Sequence, residues 1–148
     1  MSVFKKLFGT GQGKQRVDYY EEGMDLLSDG KFHEALTSLR LALKENPGDP
    51  VILQQIAISY TRIGMTDEAA KTYRHVLQRD PNASGAHYGL AFLLIRAGKA
   101  QEAVPHLKSF LAHPPSGPEA AQHIEHARST LAQLTGQADD VERDPESS

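Results

Sequence analysis

The sequence predicts an all-α fold, a solenoid of antiparallel helix pairs with seven helices in total. Two observations carry this. Proline recurs at Pro47, Pro81 and Pro115, glycine at Gly30, Gly64 and Gly98, and alanine at Ala35, Ala69 and Ala103, each at an interval of 34 residues. A fourth column, of small residues, is formed by Gly23, Ala57 and Ala91 in the same register. Between these columns, apolar residues recur at helical spacing. A period of this length marks stacked helical units, none of which can bury its apolar face alone.

Each copy reads as two helices. In the first, Tyr19, Tyr20, Leu26 and Leu27 are apolar at helical spacing, followed by Leu53, Ile56, Ala57 and Tyr60, then Leu90, Ala91, Leu94 and Ile95. These helices end at Gly30, Gly64 and Gly98, where a residue without Cβ takes the left-handed conformation that closes a helix. The second helices carry Phe32, Ala35, Leu36, Leu39 and Leu43, then Ala69, Tyr73, Val76 and Leu77, then Ala103, Leu107, Phe110 and Leu111. Asn46-Pro47, Asp80-Pro81 and Pro114-Pro115 stop them, because the residue before proline is driven out of the helical region. Asp49 and Pro50 give the next copy an N-cap and a first-position proline. Pro105 falls near the first turn of its helix and is tolerated there as a start or slight bend. The small residues mark close approach of paired helices, where a larger side chain would overpack the contact at about 1–3 kcal/mol. A seventh helix opens at Gly117-Pro118-Glu119. Its apolar stripe is Ala120, Ala121, Ile124, Ala127, Leu131 and Leu134, backed by Gln122, Glu125, Arg128, Ser129 and Gln133, the polar-backed cap a solenoid requires.

The 148 residues carry 16 Lys+Arg against 19 Asp+Glu, a formal net charge of −3, with no Cys and no Trp. That length suits one domain. Without Cys there are no disulfides, thiolate metal sites or cysteine nucleophiles. No run approaches the roughly 18 apolar residues of a spanning helix, and no signal-peptide pattern opens the chain. The near-neutral balance gives no reason to expect nucleic acid as a partner. Charge is nonetheless uneven. Residues 1–16 hold Lys5, Lys6, Lys14 and Arg16 and no acid, while residues 136–148 hold Asp139, Asp140, Glu142, Asp144 and Glu146 against Arg143. The chain thus divides into a basic amphipathic segment (1–15), a repeat domain (16–135) and an acidic tail (136–148) expected to be disordered. Within the domain the repeats are 16–49, 50–83 and 84–117, with a capping helix over 118–135.

Taken in order, the first copy's columns are Tyr19, Gly23, Leu26, Gly30, Ala35, Leu39, Ala42 and Pro47. The second gives Leu53, Ala57, Tyr60, Gly64, Ala69, Tyr73, Val76 and Pro81, and the third His87, Ala91, Leu94, Gly98, Ala103, Leu107, Phe110 and Pro115. This pattern resembles the tetratricopeptide-repeat family over about residues 16–115. His87 in place of a bulky apolar residue, and Val76 and Phe110 in place of Ala, depart from it. The resemblance implies a right-handed solenoid and a non-catalytic protein-interaction role, as an adaptor or scaffold.

The resemblance further implies that the first helix of each pair lines an inner groove. The positions are Val17, Tyr20, Glu21, Met24, Leu27 and Ser28, then Val51, Gln54, Gln55, Ile58, Thr61 and Arg62, then Tyr88, Gly89, Phe92, Ile95 and Arg96. Met24, Ile58 and Phe92 form an apolar column that either binds a partner or fills gaps between neighbouring helices. Tyr20, Tyr88, Arg62 and Arg96 flank it, and aromatic residues, Met and Arg are enriched at interfaces. The expected partner is a peptide or amphipathic helix, held by Tyr20, Met24, Leu27, Gln54, Gln55, Ile58, Arg62, Tyr88, Phe92 and Arg96. Chaperone-binding members of the family clamp a C-terminal carboxylate with two Lys, two Asn and one Arg. Tyr20, Met24, Gln55, Gly85 and Gly89 stand at those positions here and offer no cation, which argues against that mechanism.

No enzyme, metal or cofactor is expected. His123 and His126 are three apart on one helical face with Glu119 and Glu125 nearby, but a metal site needs three or four converging ligands. His33, His75, His87, His106 and His113 read as scattered. No motif joins Ser and His to an acid and an oxyanion hole, and Gly9 to Gly13 lacks the Gly-Lys-Ser/Thr ending of a phosphate loop. The first eight residues can place Val3, Phe4, Leu7 and Phe8 on one face of a two-turn helix with Lys5 and Lys6 opposite, ahead of a Gly-rich tether. Three readings stay open: inner-leaflet contact through Phe4, Lys5, Lys6, Leu7 and Phe8, docking on a groove of this or another copy, and a disordered start. Self-assembly as a homo-oligomer or weak membrane-surface contact through this segment is the alternative to the adaptor role. The expected setting is the bacterial cytoplasm, peripheral to the inner membrane in the second case.

Overall fold

The computed structural model describes residues 16–136. The basic segment over 1–15 and the tail beyond Gly136 lie outside the described residues. Among those described are seven helices and no strands: α1 (Tyr19–Ser28), α2 (Phe32–Glu45), α3 (Pro50–Ile63), α4 (Thr66–Arg79), α5 (Ser84–Arg96), α6 (Ala100–Ala112) and α7 (Ala120–Thr135). The fold is the all-α class of solenoid helix pairs. The helices group into two compact units, one ending at Arg79 and the other beginning at Asp80.

In the first unit α1 packs on α2, α2 on α3 and α3 on α4, with a lighter contact between α1 and α3. Asp18 caps α1, its carboxylate accepting from the Glu21 N–H at 3.0 Å. Asp49 caps α3, accepting from the N–H groups of Val51 (2.9 Å) and Ile52 (3.4 Å) with Pro50 at the first helical position. Each such cap is worth about 1 kcal/mol. Gly30 and Gly64 adopt φ of 76° and 94°, and a Cβ at either would meet nothing within 4 Å. Backbone handedness selects glycine there. Gly23 is selected by space instead, since a Cβ would stand 2.7 Å from Cγ of Leu39. Leu39, Ala35, Ala57, Ala69 and Val76 have no exposed surface and form the centre of this unit. Tyr73 is buried with them, and burial pushes its phenol above the ordinary value of 10.0, opposed by a hydrogen bond with Thr61.

In the second unit α5 packs on α6 and α6 on α7. Ala86, Leu90, Ala91, Ala103 and Leu107 are fully buried, with Phe110 at 1% exposure. The helix stops fall where the prolines demand: α4 ends ahead of Asp80-Pro81 and α6 ahead of Pro114-Pro115. Pro105 lies deeper than the first turn, at the sixth residue of α6, and the helix runs through it. Its missing N–H forfeits the bond to the Gln101 carbonyl, and both residues are exposed, so water can take that group. In α7, Gly117-Pro118-Glu119 precede the helix, and Glu119 makes no side-chain cap bond. Of its apolar stripe only Ala127 is fully buried, while Ile124, Leu131 and Leu134 are half-buried.

Candidate functional site

In the first unit the expected groove residues stand on α1 and α3, which make a light contact with each other. Tyr20, Met24 and Leu27 recur along α1 at helical spacing and are half-buried. On α3, Val51 is 56% exposed, and Gln54, Gln55 and Ile58 are half-buried. The Ser and Thr hydroxyls of α3 are turned to their own backbone: Ser59 donates to the Gln55 carbonyl and Thr61 to the Ala57 carbonyl, both at 2.9 Å. Arg62 is drawn aside, its guanidinium 4.5 Å from the centroid of the Phe32 ring. That cation–π contact at the start of α2 engages the charge that the sequence places beside Ile58. The same helix α1 is rich in acid. Between Asp18 and Asp29 the chain holds Asp18, Glu21, Glu22, Asp25 and Asp29 and neither Lys nor Arg. Glu22 turns toward α2, accepting from the Ser38 hydroxyl at 3.0 Å.

In the second unit the expected groove residues Tyr88 and Phe92 are held by α7. The Tyr88 ring centroid lies 4.8 Å from that of Phe92, 5.0 Å from that of Phe110 and 5.0 Å from that of His123. Its hydroxyl is 2.9 Å from His126 Nδ1, and the His126 ring stacks on Phe92 at 4.4 Å and 14°. Burial pushes the Tyr88 phenol above its ordinary value. His123 and His126 thus serve as packing partners of α5. Arg96 is exposed in the last turn of α5, where a cation complements the helix dipole.

His87 and His106, which read as scattered, meet with their Nδ1 atoms 3.0 Å apart. His87 Nε2 lies 2.7 Å from the Pro81 carbonyl oxygen. A carbonyl only accepts, so Nε2 carries the hydrogen, and in the neutral ring Nδ1 accepts from the N–H of His106. This is how a histidine occupies a bulky apolar column at 9% exposure, with both ring nitrogens satisfied. Nineteen residues separate the two rings, a spacing that crosses from α5 to α6 and belongs to no single helical period. Among the described residues no three His, Cys, Asp or Glu side chains converge to hold a metal ion. No described helix is long and apolar enough to cross a membrane.

The tetratricopeptide-repeat pattern matches residues 63–122, spanning α4 to α6 and the start of α7. This is a tetratricopeptide-repeat protein. The photosystem I assembly protein Ycf3 of Synechococcus sp. (strain CC9605) is 30% identical over 103 residues, covering 68% of this chain and 60% of Ycf3. The chain therefore spans less than two thirds of that relative's length. The type III secretion chaperone SycD of Yersinia enterocolitica, solved with a peptide of the translocator YopD, shares the fold at a TM-score of 0.73 and 17% identity, over 81% of this chain and 92% of SycD. The TPR domain of Sgt2 from Aspergillus fumigatus does so at 0.67 and 18%, over 85% of this chain and 80% of that domain.

Proposed function

We propose that this tetratricopeptide-repeat protein is a non-catalytic adaptor or scaffold whose α1–α3 face holds an apolar segment, extended or helical, of a partner protein. The observation that carries the reading is the row Tyr20, Met24, Leu27, Val51 and Ile58, apolar and part-exposed along two neighbouring helices. Gln54 and Gln55 lie beside it. Each amide both donates and accepts, which suits peptide backbone better than a charged group. The lack of a cation at the clamp positions argues for a partner's internal segment over its C-terminal carboxylate. In the second unit Tyr88 and Phe92 are already gripped in part by His123 and His126 of α7. The fold is shared with SycD and with PcrH, which was solved with the chaperone-binding region of PopD, and these complexes support a protein partner.

Capture of proteins from native lysate by the immobilised full chain, with Ile58→Asp beside it, tests the reading. Proteins held through the face are expected to drop about tenfold or more in affinity, as for a central interface residue, with unchanged far-UV circular dichroism. The same proteins captured equally at unchanged helicity would remove the face from the account.

A further inference from the structure

We propose that residues 3–8 of this chain seat on the α1–α3 face of the same molecule, making the chain's own basic apolar segment the resident occupant that an external partner must displace. This rests on the α1–α3 face being a docking face and names what covers it.

The two surfaces match in apolarity and in charge. Val3, Phe4, Leu7 and Phe8 offer side chains for Tyr20, Met24, Val51 and Ile58. Residues 1–17 contain Lys5, Lys6, Lys14 and Arg16 and no acid, whereas residues 18–29 contain five acids and no base. The charge changes sign where α1 begins. α3 adds a single cation, Arg62, and that guanidinium lies over the Phe32 ring. The acids of α1 that attract the segment would repel an anionic membrane surface brought up beside it, which favours the face over lipid.

The geometry of the tether agrees. Arg16 pairs with Glu45 at 2.9 Å, so one cation of the basic stretch is already set against an acid of the first unit. Glu45 ends α2, and the short connections on either side of α2 bring that end beside the first turns of α1 and α3. Tyr20 and Val51 stand in those first turns. Residues 9–15 can span up to about 25 Å, whereas the ten residues of α1 rise only about 15 Å. Residues 3–8 can therefore reach any part of the face, at an effective concentration in the mM range that a separate molecule rarely attains.

The chain has no Cys, so Ser2→Cys accepts a single nitroxide spin label on the otherwise intact full-length protein. In a dilute ¹⁵N-labelled sample, the amide signals of Tyr20, Met24, Gln55 and Ile58 are expected to be lost, and those of Lys71 and Arg74 on α4 retained. Phe4→Ser with Phe8→Ser in the spin-labelled chain should restore them. The same pair of substitutions, without the label, should raise partner capture several-fold. Uniform or absent broadening would overturn the proposal. So would broadening seen only when ¹⁵N-labelled chain is mixed with separately spin-labelled chain, which assigns the segment to a second copy. Insensitivity of the α1 and α3 signals combined with flotation on phosphatidylserine vesicles would overturn it in favour of a membrane surface. If capture depends on Ile58 and no selective broadening occurs, the face stands and its resident occupant does not. If neither effect is seen, both fall.

Discussion

The two units build helix pairs from one set of columns yet fill them by different means. In the first, the bulky positions hold Leu53 and Tyr60 at 3% and 6% exposure, and a close contact between α1 and α2 is relieved by the missing side chain of Gly23. In the second, the bulky position is His87, made acceptable by Pro81 and His106, and the small position is Ala91. Their outward faces differ too. The apolar residues of the proposed α1–α3 face are left part-exposed in the first unit, while α7 lays two imidazoles against the aromatic residues of α5 in the second. The columns therefore constrain volume and backbone more tightly than polarity, and a polar ring enters the core wherever both its nitrogens find partners.

The volume side of this contrast is the easier to break. Gly23→Ala should cost about 2 kcal/mol in urea unfolding, because its Cβ overlaps the fully buried Leu39. In an open helix the same exchange gains up to about 1 kcal/mol. Combining it with Leu39→Ala relieves the overlap, so the two losses should fall well short of adding. Strict additivity would show that α1 and α2 are not held apart by this contact.

The polarity side should yield a smaller effect. His87→Phe supplies the bulky apolar residue of the column but leaves the half-buried N–H of His106 without its acceptor, for a loss of about 1 kcal/mol. His106→Leu added to it should recover part of that loss. A single variant as stable as the parent would mean that His87 contributes only its volume.

The smallest effect appears at alkaline pH. Burial raises the Tyr73 phenol above 10.0, so the unfolded chain ionises first. Stability from this group is complete below about pH 10 and declines as pH rises toward the folded value. Tyr73→Phe should flatten the fall in thermal midpoint above about pH 10. An unchanged fall would assign it to another phenol, with Tyr88 of the second unit the next candidate.

Much of the fold was legible because prolines, left-handed glycines and small contacts leave little choice of residue. The helix stops at Asn46, Asp80 and His113 follow from the backbone restriction that proline imposes, and the cap at Asp49 from a short carboxylate within reach of the first free N–H groups. Pairs that meet across helices were not legible in the same way. His87 and His106, or Tyr88 and His126, are joined by packing, and no local period announces them. Arg62 could be placed on the face by register, but its attraction to Phe32 depends on where α2 begins. The acidic run from Asp18 to Asp29 was readable, yet the formal net charge of −3 for the whole chain does not reveal it.

The glycines at 30, 64 and 98 share open space around the missing Cβ and a backbone angle of reversed sign. Chirality, not bulk, is what any ordinary residue would violate there. A mirror-image alanine would satisfy all three turns with its methyl group in open space, and would narrow the unfolded chain's freedom as glycine never can.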